Sequence, residues 1–286
     1  MRFIEPGSFT MGSDRHYPEE RPARRVESDG FWMDETPVTN RKFARFVEET
    51  GYVTVAERPP DRADYPDALP ELLVPGSAVF APTAGPVPLT DELAWWTYVA
   101  GACWRHPEGP SSSVDDRLDH PVVHVAFDDA LAYARWAHRD LPTETEWEYA
   151  ARGGLDGAEF AWGDELTPGG EHRANTWQGR FPYDDTAEDG YAGTSPVGAF
   201  PPNGYGLVDM IGNVWEWTRS TAQPYASPAP CCAPAHGGGV AQRVIKGGSY
   251  LCTEAYCARY RPAARQLLEP RSSTSHVGFR CVYREG

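Results

Sequence analysis

Two cysteines, Cys252 and Cys257, stand five residues apart in the segment Arg243-Val-Ile-Lys-Gly-Gly-Ser-Tyr-Leu-Cys-Thr-Glu-Ala-Tyr-Cys-Ala-Arg-Tyr-Arg-Pro-Ala-Ala-Arg265. That spacing is neither the two-residue gap of a redox pair nor a zinc knuckle, which would need two more ligands close by. Two thiolates on one short loop can meet a soft ion from opposite sides, and a low-coordinate, all-sulfur site selects Cu(I) over harder divalent metals. A coordination position would stay open, and a third sulfur from a substrate cysteine could enter it. The competing chemistry is a disulfide between the two thiols, used for thiol exchange. Spacing alone leaves both open beside the plain alternative of two small, buried side chains.

A second group is rich in oxygen. Asn175, Asp189, Asp209 and Glu216 fall in turn-rich sequence, where carboxylates and backbone carbonyls can converge on a hard cation such as Ca²⁺, although acidic loop residues are ordinarily solvated. His120 and His124 stand four apart, but the intervening Pro-Val-Val favours a strand and no acidic base completes a helical zinc pattern, so a structural role is expected. Gly247-Gly248-Ser249 lacks the second flanking glycine of a nucleophile elbow, and no phosphate-binding glycine loop occurs.

Few regular elements are available to position these groups. Thr39 can cap a helix that buries Phe43, Phe46 and Val47 and stops at Gly51. A second helix is expected from about Asp129 to His138, with Tyr133, Trp136 and Ala137 on one side. A third opens on the capping box Thr143/Glu146, turns Trp147, Ala150 and Ala151 inward and closes at Gly153. Residues Met1 to Met11 read as strand. Near the end, Val277, Phe279, Cys281 and Tyr283 alternate with Gly278, Arg280 and Val282, a strand period that points Cys281 into the core. With 28 glycines and 27 prolines, the remainder must be turns and short strands. The stretch from Arg58 to Pro121 lacks periodicity yet carries Trp95, Trp96, Trp104 and His106, too much apolar surface for a disordered linker.

Composition bounds the rest. A chain of 286 residues, 41% of them hydrophobic, can bury a substantial core, and one domain over residues 1–286 is expected. No run approaches the ~20 apolar residues of a membrane-spanning helix, and no leader pattern is seen, so a cytoplasmic, soluble monomer is expected. A net charge of −15 argues against sequence-independent binding to nucleic acid or anionic lipid, whereas a basic peptide would be welcome. Six cysteines are too few for a disulfide scaffold, so reduced thiols are expected, including the adjacent Cys231 and Cys232.

The cysteine segment, with its Gly-Gly-Ser, its two cysteines and its Arg-Tyr-Arg run, resembles the active-site stretch of the formylglycine-generating enzymes, or sulfatase-modifying factors. Similar runs cover nearly the whole chain: Trp104-Arg-His-Pro-Glu-Gly-Pro110, Asp119-His-Pro-Val-Val-His-Val125, Leu141-Pro-Thr-Glu-Thr-Glu-Trp-Glu-Tyr149, Ala174-Asn-Thr-Trp-Gln-Gly179, Phe200-Pro-Pro-Asn-Gly-Tyr-Gly206, Gly212-Asn-Val-Trp-Glu-Trp217 and Gly278-Phe-Arg-Cys281. The Leu-Pro-Thr-Glu, Gly-Asn-Val-Trp-Glu-Trp and Gly-Phe-Arg runs recur in the wider superfamily and report fold. The paired cysteines with Trp-Arg-His-Pro-Glu-Gly-Pro mark the formylglycine-generating branch.

The resemblance implies an irregular α+β fold of low regular content, distantly like C-type lectins. It implies an oxidase that uses O2 to convert a cysteine in a Cys-X-Pro-X-Arg motif of an unfolded sulfatase into Cα-formylglycine. Carried over by position, Cys252 and Cys257 would hold Cu(I), with Ser249, Tyr256 and Trp215 around the oxygen and thiol pocket. Two structural calcium sites are implied, partly through carbonyls: Asn175, Thr176, Asp189 and Tyr191 for one, and Asp209, Gly212, Val214 and Glu216 for the other. The alternatives are a metal-free thiol-disulfide oxidoreductase and a lectin-like calcium-binding module without catalysis.

Overall fold

A computed structural model describes residues 1–63, 68–69, 73–221 and 241–285, which leaves Cys231 and Cys232 outside the described residues. In chain order the strands are β1 (Arg2–Ile4), β2 (Gly7–Met11), β3 (Arg24–Ser28), β4 (Phe31–Met33), β5 (Gly76–Phe80), β6 (Trp96–Ala100), β7 (Gly179–Arg180), β8 (Asp184–Asp185), β9 (Trp215–Thr221), β10 (Arg243–Lys246), β11 (Arg265–Leu268), β12 (Val277–Gly278) and β13 (Val282–Tyr283). They form small sheets: β1-β4-β13, β11-β10-β9-β12, and the pairs β2-β3, β5-β6 and β7-β8. Between these described strands every pairing is antiparallel except β12 beside β9.

The helices form where the sequence places caps. Helix α1 (Asn40–Thr50) begins at Thr39, whose hydroxyl accepts the Lys42 N–H, and ends on Gly51 in the left-handed region. Its buried face carries Phe43 and Phe46 against Trp104, Tyr133 and Trp136. Helix α3 (Glu144–Arg152) has the expected capping box: the Thr143 hydroxyl accepts the Glu146 N–H, and the Glu146 carboxylate takes the Thr143 N–H. Helix α2 runs Phe127–Trp136 and starts two residues earlier than its sequence suggests. Asp129 sits inside its first turn, and the buried carboxylate reaches back to the N–H groups of Ala126 and Val55. A side chain read as a helix start is here a cap acting from inside.

The C-terminal strand reading fails in its middle. β12 and β13 are separated by Phe279, Arg280 and Cys281, all fully buried, while Tyr283 turns 46% of its surface outward. Strict alternation breaks because Arg280 must also point inward, to Glu216. Cys281 is buried nonetheless, and burial pushes its thiol well above the usual range. The described residues of the excursion from Arg58 to Pro121 gather around the β5-β6 hairpin, with Trp95 and Trp104 both 1% exposed.

The element that matters most is the β10-β11 pair. Its register closes on Lys246 opposite Arg265, so residues 247–264 form one long loop, which contains both cysteines of interest. Both ends of that loop are tied to α3 through buried charge: the Lys246 ammonium lies 3.0 Å from Glu148, and Arg265 Nε lies 2.9 Å from Glu144. Glu148 also takes Arg152 at 2.7 Å, and these cations hold its carboxyl below the usual range although burial opposes them.

Candidate active site

The loop begins with a backbone that only glycine accommodates well. Gly248 has φ +74°, and a Cβ there would lie 3.0 Å from backbone atoms of Arg259 and Tyr260. The chain beyond Cys257 therefore folds directly over the start of the loop. The Ser249 carbonyl accepts the Cys252 N–H at 2.9 Å, and the Thr253 carbonyl accepts those of Tyr256 and Cys257 at 3.2 and 2.8 Å. These two tight turns bring Cys252 and Cys257 onto the same side.

Their sulfurs lie 3.4 Å apart, in contact and well beyond the ~2.05 Å of a disulfide. Each cysteine is 1% exposed. The Ser249 N–H points at Cys252 Sγ from 3.4 Å, and Arg259 Nη1 lies 3.9 Å from Cys257 Sγ. This is a donor set suited to a soft monovalent ion: two polarizable sulfurs, near-contact geometry and backbone and guanidinium N–H groups facing them. The same separation would let a disulfide close after a small movement.

Of the other residues singled out by sequence, Ser249 closes a turn, its hydroxyl accepting the Leu251 N–H at 3.3 Å. Tyr256 belongs to an aromatic wall: it stacks on Phe181 (centroids 4.8 Å, 5° between planes) and meets Trp95 edge-on at 5.3 Å. Trp215 is fully buried in the same apolar cluster as both cysteines, and its indole N–H has no partner among the described residues. A cavity of about 240 Å³ adjoins the cysteine loop, lined in part by Trp177, Thr253, Glu254, Tyr260, Gln178 and Glu188.

Sequence reasoning gave no role to two further groups that the structure brings here. Arg259 follows Cys257 by two residues, a closeness visible in the sequence itself. His276 had no local signal at all: its carbonyl accepts the Trp215 N–H, its Nδ1 meets the Thr274 hydroxyl at 2.9 Å, and burial lowers its pKa to about 3.

The oxygen-rich residues also gather. Asp189 accepts the N–H groups of Thr176 and Tyr191 on its two carboxylate oxygens, at 2.9 and 3.0 Å. Asn175 donates to the Gly193 carbonyl, while its own side-chain oxygen is buried and accepts nothing among the described residues. A buried amide oxygen in that state fits a hard cation. Asn175 also touches the second group, because its carbonyl accepts the Asn213 N–H at 2.8 Å, just after Gly212 and just before Val214.

In that second group Asp209 accepts the Gly198 N–H, and burial raises its pKa to about 6 against the opposing pull of that hydrogen bond and of Arg280. Glu216 does not face an open acidic pocket. Its carboxylate takes Arg280 at 2.8–3.0 Å and the Trp147 indole N–H at 2.7 Å. Among the described residues no three His, Cys, Asp or Glu side chains cluster as a metal site. His120 and His124 are both engaged by protein groups: His120 Nδ1 by Thr194 at 2.9 Å, and His124 by Ser77 at 2.7 Å and the Pro107 carbonyl at 2.9 Å.

A family model described as the sulfatase-modifying factor enzyme 1-like domain matches residues 1–285. The chain belongs to the formylglycine-generating enzyme family. It is 56% identical over 284 residues to the formylglycine-generating enzyme of Mycobacterium tuberculosis, covering 96% of this chain and 95% of that one. Identity is 50% over 287 residues to the Thermomonospora curvata enzyme of the same name, with 98% and 91% covered. Among solved structures, PvdO from Pseudomonas aeruginosa superposes with a TM-score of 0.65 at 26% identity, covering 98% of this chain and 92% of PvdO. The irregular α+β fold expected from the motifs is therefore the fold of the family. No helix among the described residues is long and apolar enough to cross a membrane.

Proposed function

We propose that this chain converts a cysteine of a sulfatase polypeptide into Cα-formylglycine, with Cu(I) held by Cys252 and Cys257 and O2 as oxidant. The single observation that carries the reading is the pair of buried sulfurs 3.4 Å apart, unbridged and facing one another. A protein chemistry that needed only burial would not require two thiols in contact beside a guanidinium.

Bound between these sulfurs, Cu(I) would offer an open position to a third thiolate and a means of activating oxygen. The chain's own residues do the rest. The β10-β11 closure and its ties to α3 hold the two sulfurs in register. Tyr256, fixed between Phe181 and Trp95, is a rigid wall against which an extended peptide can lie. Burial of both cysteines keeps bulk water from the reacting carbon until the oxidation is complete. Overall, two hydrogens leave the substrate CH2–SH group for oxygen, giving a thioaldehyde and hydrogen peroxide. Water then replaces sulfur, giving the aldehyde and hydrogen sulfide.

The net charge of −15 favours the arginine of a Cys-X-Pro-X-Arg segment, and we place the activity in a cytoplasmic monomer. Calcium, where bound, would be held through Asn175, whose buried side-chain oxygen needs a partner. The test is direct: incubate the reduced, copper-loaded chain with a Cys-X-Pro-X-Arg peptide in air and measure peptide mass. Copper-dependent aldehyde supports the reading. Disulfide exchange without copper would replace it with thiol-disulfide chemistry, and no reaction at all would leave a binding module.

A further inference from the structure

The first arginine of the Arg-Tyr-Arg run after Cys257 lies beside the sulfurs and is firmly held there. Arg259 is 2% exposed. Nη1 lies 3.9 Å from Cys257 Sγ, Nη2 donates to Glu19 Oε1 at 2.5 Å, and the guanidinium carbon sits 3.8 Å above the Tyr17 ring. The Tyr17 hydroxyl accepts the Ala258 N–H at 3.2 Å, fixing the backbone between Cys257 and Arg259. Two residues on, Arg261 is gripped by Glu20 through two bonds of 2.9 and 2.6 Å. Residues 17–20, remote in sequence, thus seat a buried cation against one sulfur.

Charge arithmetic makes that cation useful. Two thiolates and one cuprous ion carry one net negative charge, and a substrate thiolate would raise it to two. A site this far from water needs that charge balanced by a fixed neighbour. We infer that Arg259 is the charge-compensating and positioning residue of the dithiol site, and that Glu19 sets how much of its charge the sulfurs feel. The inference rests on the copper reading above.

The test measures Cu(I) affinity of the reduced full chain by competition with a chromophoric Cu(I) chelator, at fixed pH and salt. Arg259→Met should weaken binding at least tenfold, and Arg259→Lys should recover much of it because charge, not shape, is the need. Glu19→Gln should strengthen binding severalfold, since the amide oxygen still accepts from Nη2 while the opposing charge is gone. A merely structural clamp predicts the opposite sign for Glu19→Gln, so that variant decides the matter even if Arg259→Met fails to fold. Unchanged affinity in a folded Arg259→Met, or no gain in Glu19→Gln, overturns the inference. A wild-type chain that binds no Cu(I) would instead defeat the copper reading itself.

Discussion

Replacing Glu216 by Gln tests whether its buried carboxylate serves chiefly as the counter-charge of Arg280. The family resemblance implies a calcium role for Glu216, partly through carbonyls; its side chain is 1% exposed and faces Arg280, which is fully buried. Arg280 Nε and Nη2 donate to Glu216 at 2.8–3.0 Å, and the remaining guanidinium hydrogens reach the carbonyls of Asp34, Glu35, Val208 and Asp209 at 2.9–3.3 Å. Glu216→Gln keeps the shape but removes the only charge in direct contact with this cation among the described residues and turns one acceptor into a donor facing donors. Stranding one member of a buried pair costs about 3–5 kcal/mol. Against a total stability of roughly 5–15 kcal/mol that is a large share. At roughly 3 °C per kcal/mol for a chain of this size, the midpoint should fall by about 10 °C. Calorimetry of both proteins in EGTA and in millimolar calcium separates the two roles. The arginine pairing requires a loss of the same size in both buffers. A loss under about 1 kcal/mol in EGTA that appears only with calcium would show that the carboxylate serves a cation and that the Arg280 argument is wrong.

Three other perturbations probe the same architecture. Cys281→Ser places a hydroxyl in a fully buried apolar site and should cost about 1–3 kcal/mol in urea denaturation while leaving Cu(I) affinity unchanged. Gly248→Ala forces a side chain into a left-handed backbone position against the Arg259 and Tyr260 backbone; it should cost at least about 1–2 kcal/mol and lower aldehyde formation more than Cys281→Ser does. His124 is held neutral by burial, with its pKa lowered to about 4, so its contribution is complete above the unfolded value of ~6.5 and is lost as pH falls toward 4. Between pH 7 and 5 the wild type should therefore lose about 2 kcal/mol relative to His124→Gln. Asp129 and Asp209, both raised to about 6, act in the opposite direction, so the difference between the two proteins, not either curve alone, carries the test.

Local signals fixed what depends on neighbours in the chain. Thr39 and Gly51 bound α1 because caps act within one turn, and the Thr143/Glu146 box starts α3 for the same reason. Two cysteines five apart limited the chemistry to a dithiol, and the motifs around them pointed to the family that the comparison bears out. Sequence spacing could not say that the sulfurs touch. That depends on the long loop between β10 and β11, closed by Lys246 and Arg265 against the carboxylates of α3. Nor could alternation locate Arg280, because a strand's period yields when a buried carboxylate on another strand demands a counter-charge. The cation beside Cys257 is likewise a tertiary decision: Arg259 is aimed by Tyr17 and Glu19, some 240 residues away, and no spacing rule reaches that far. Chain-local physics determined the helices and the pair of thiols; the contact between their sulfurs and the charges around them were decided only when distant segments packed together and water was excluded.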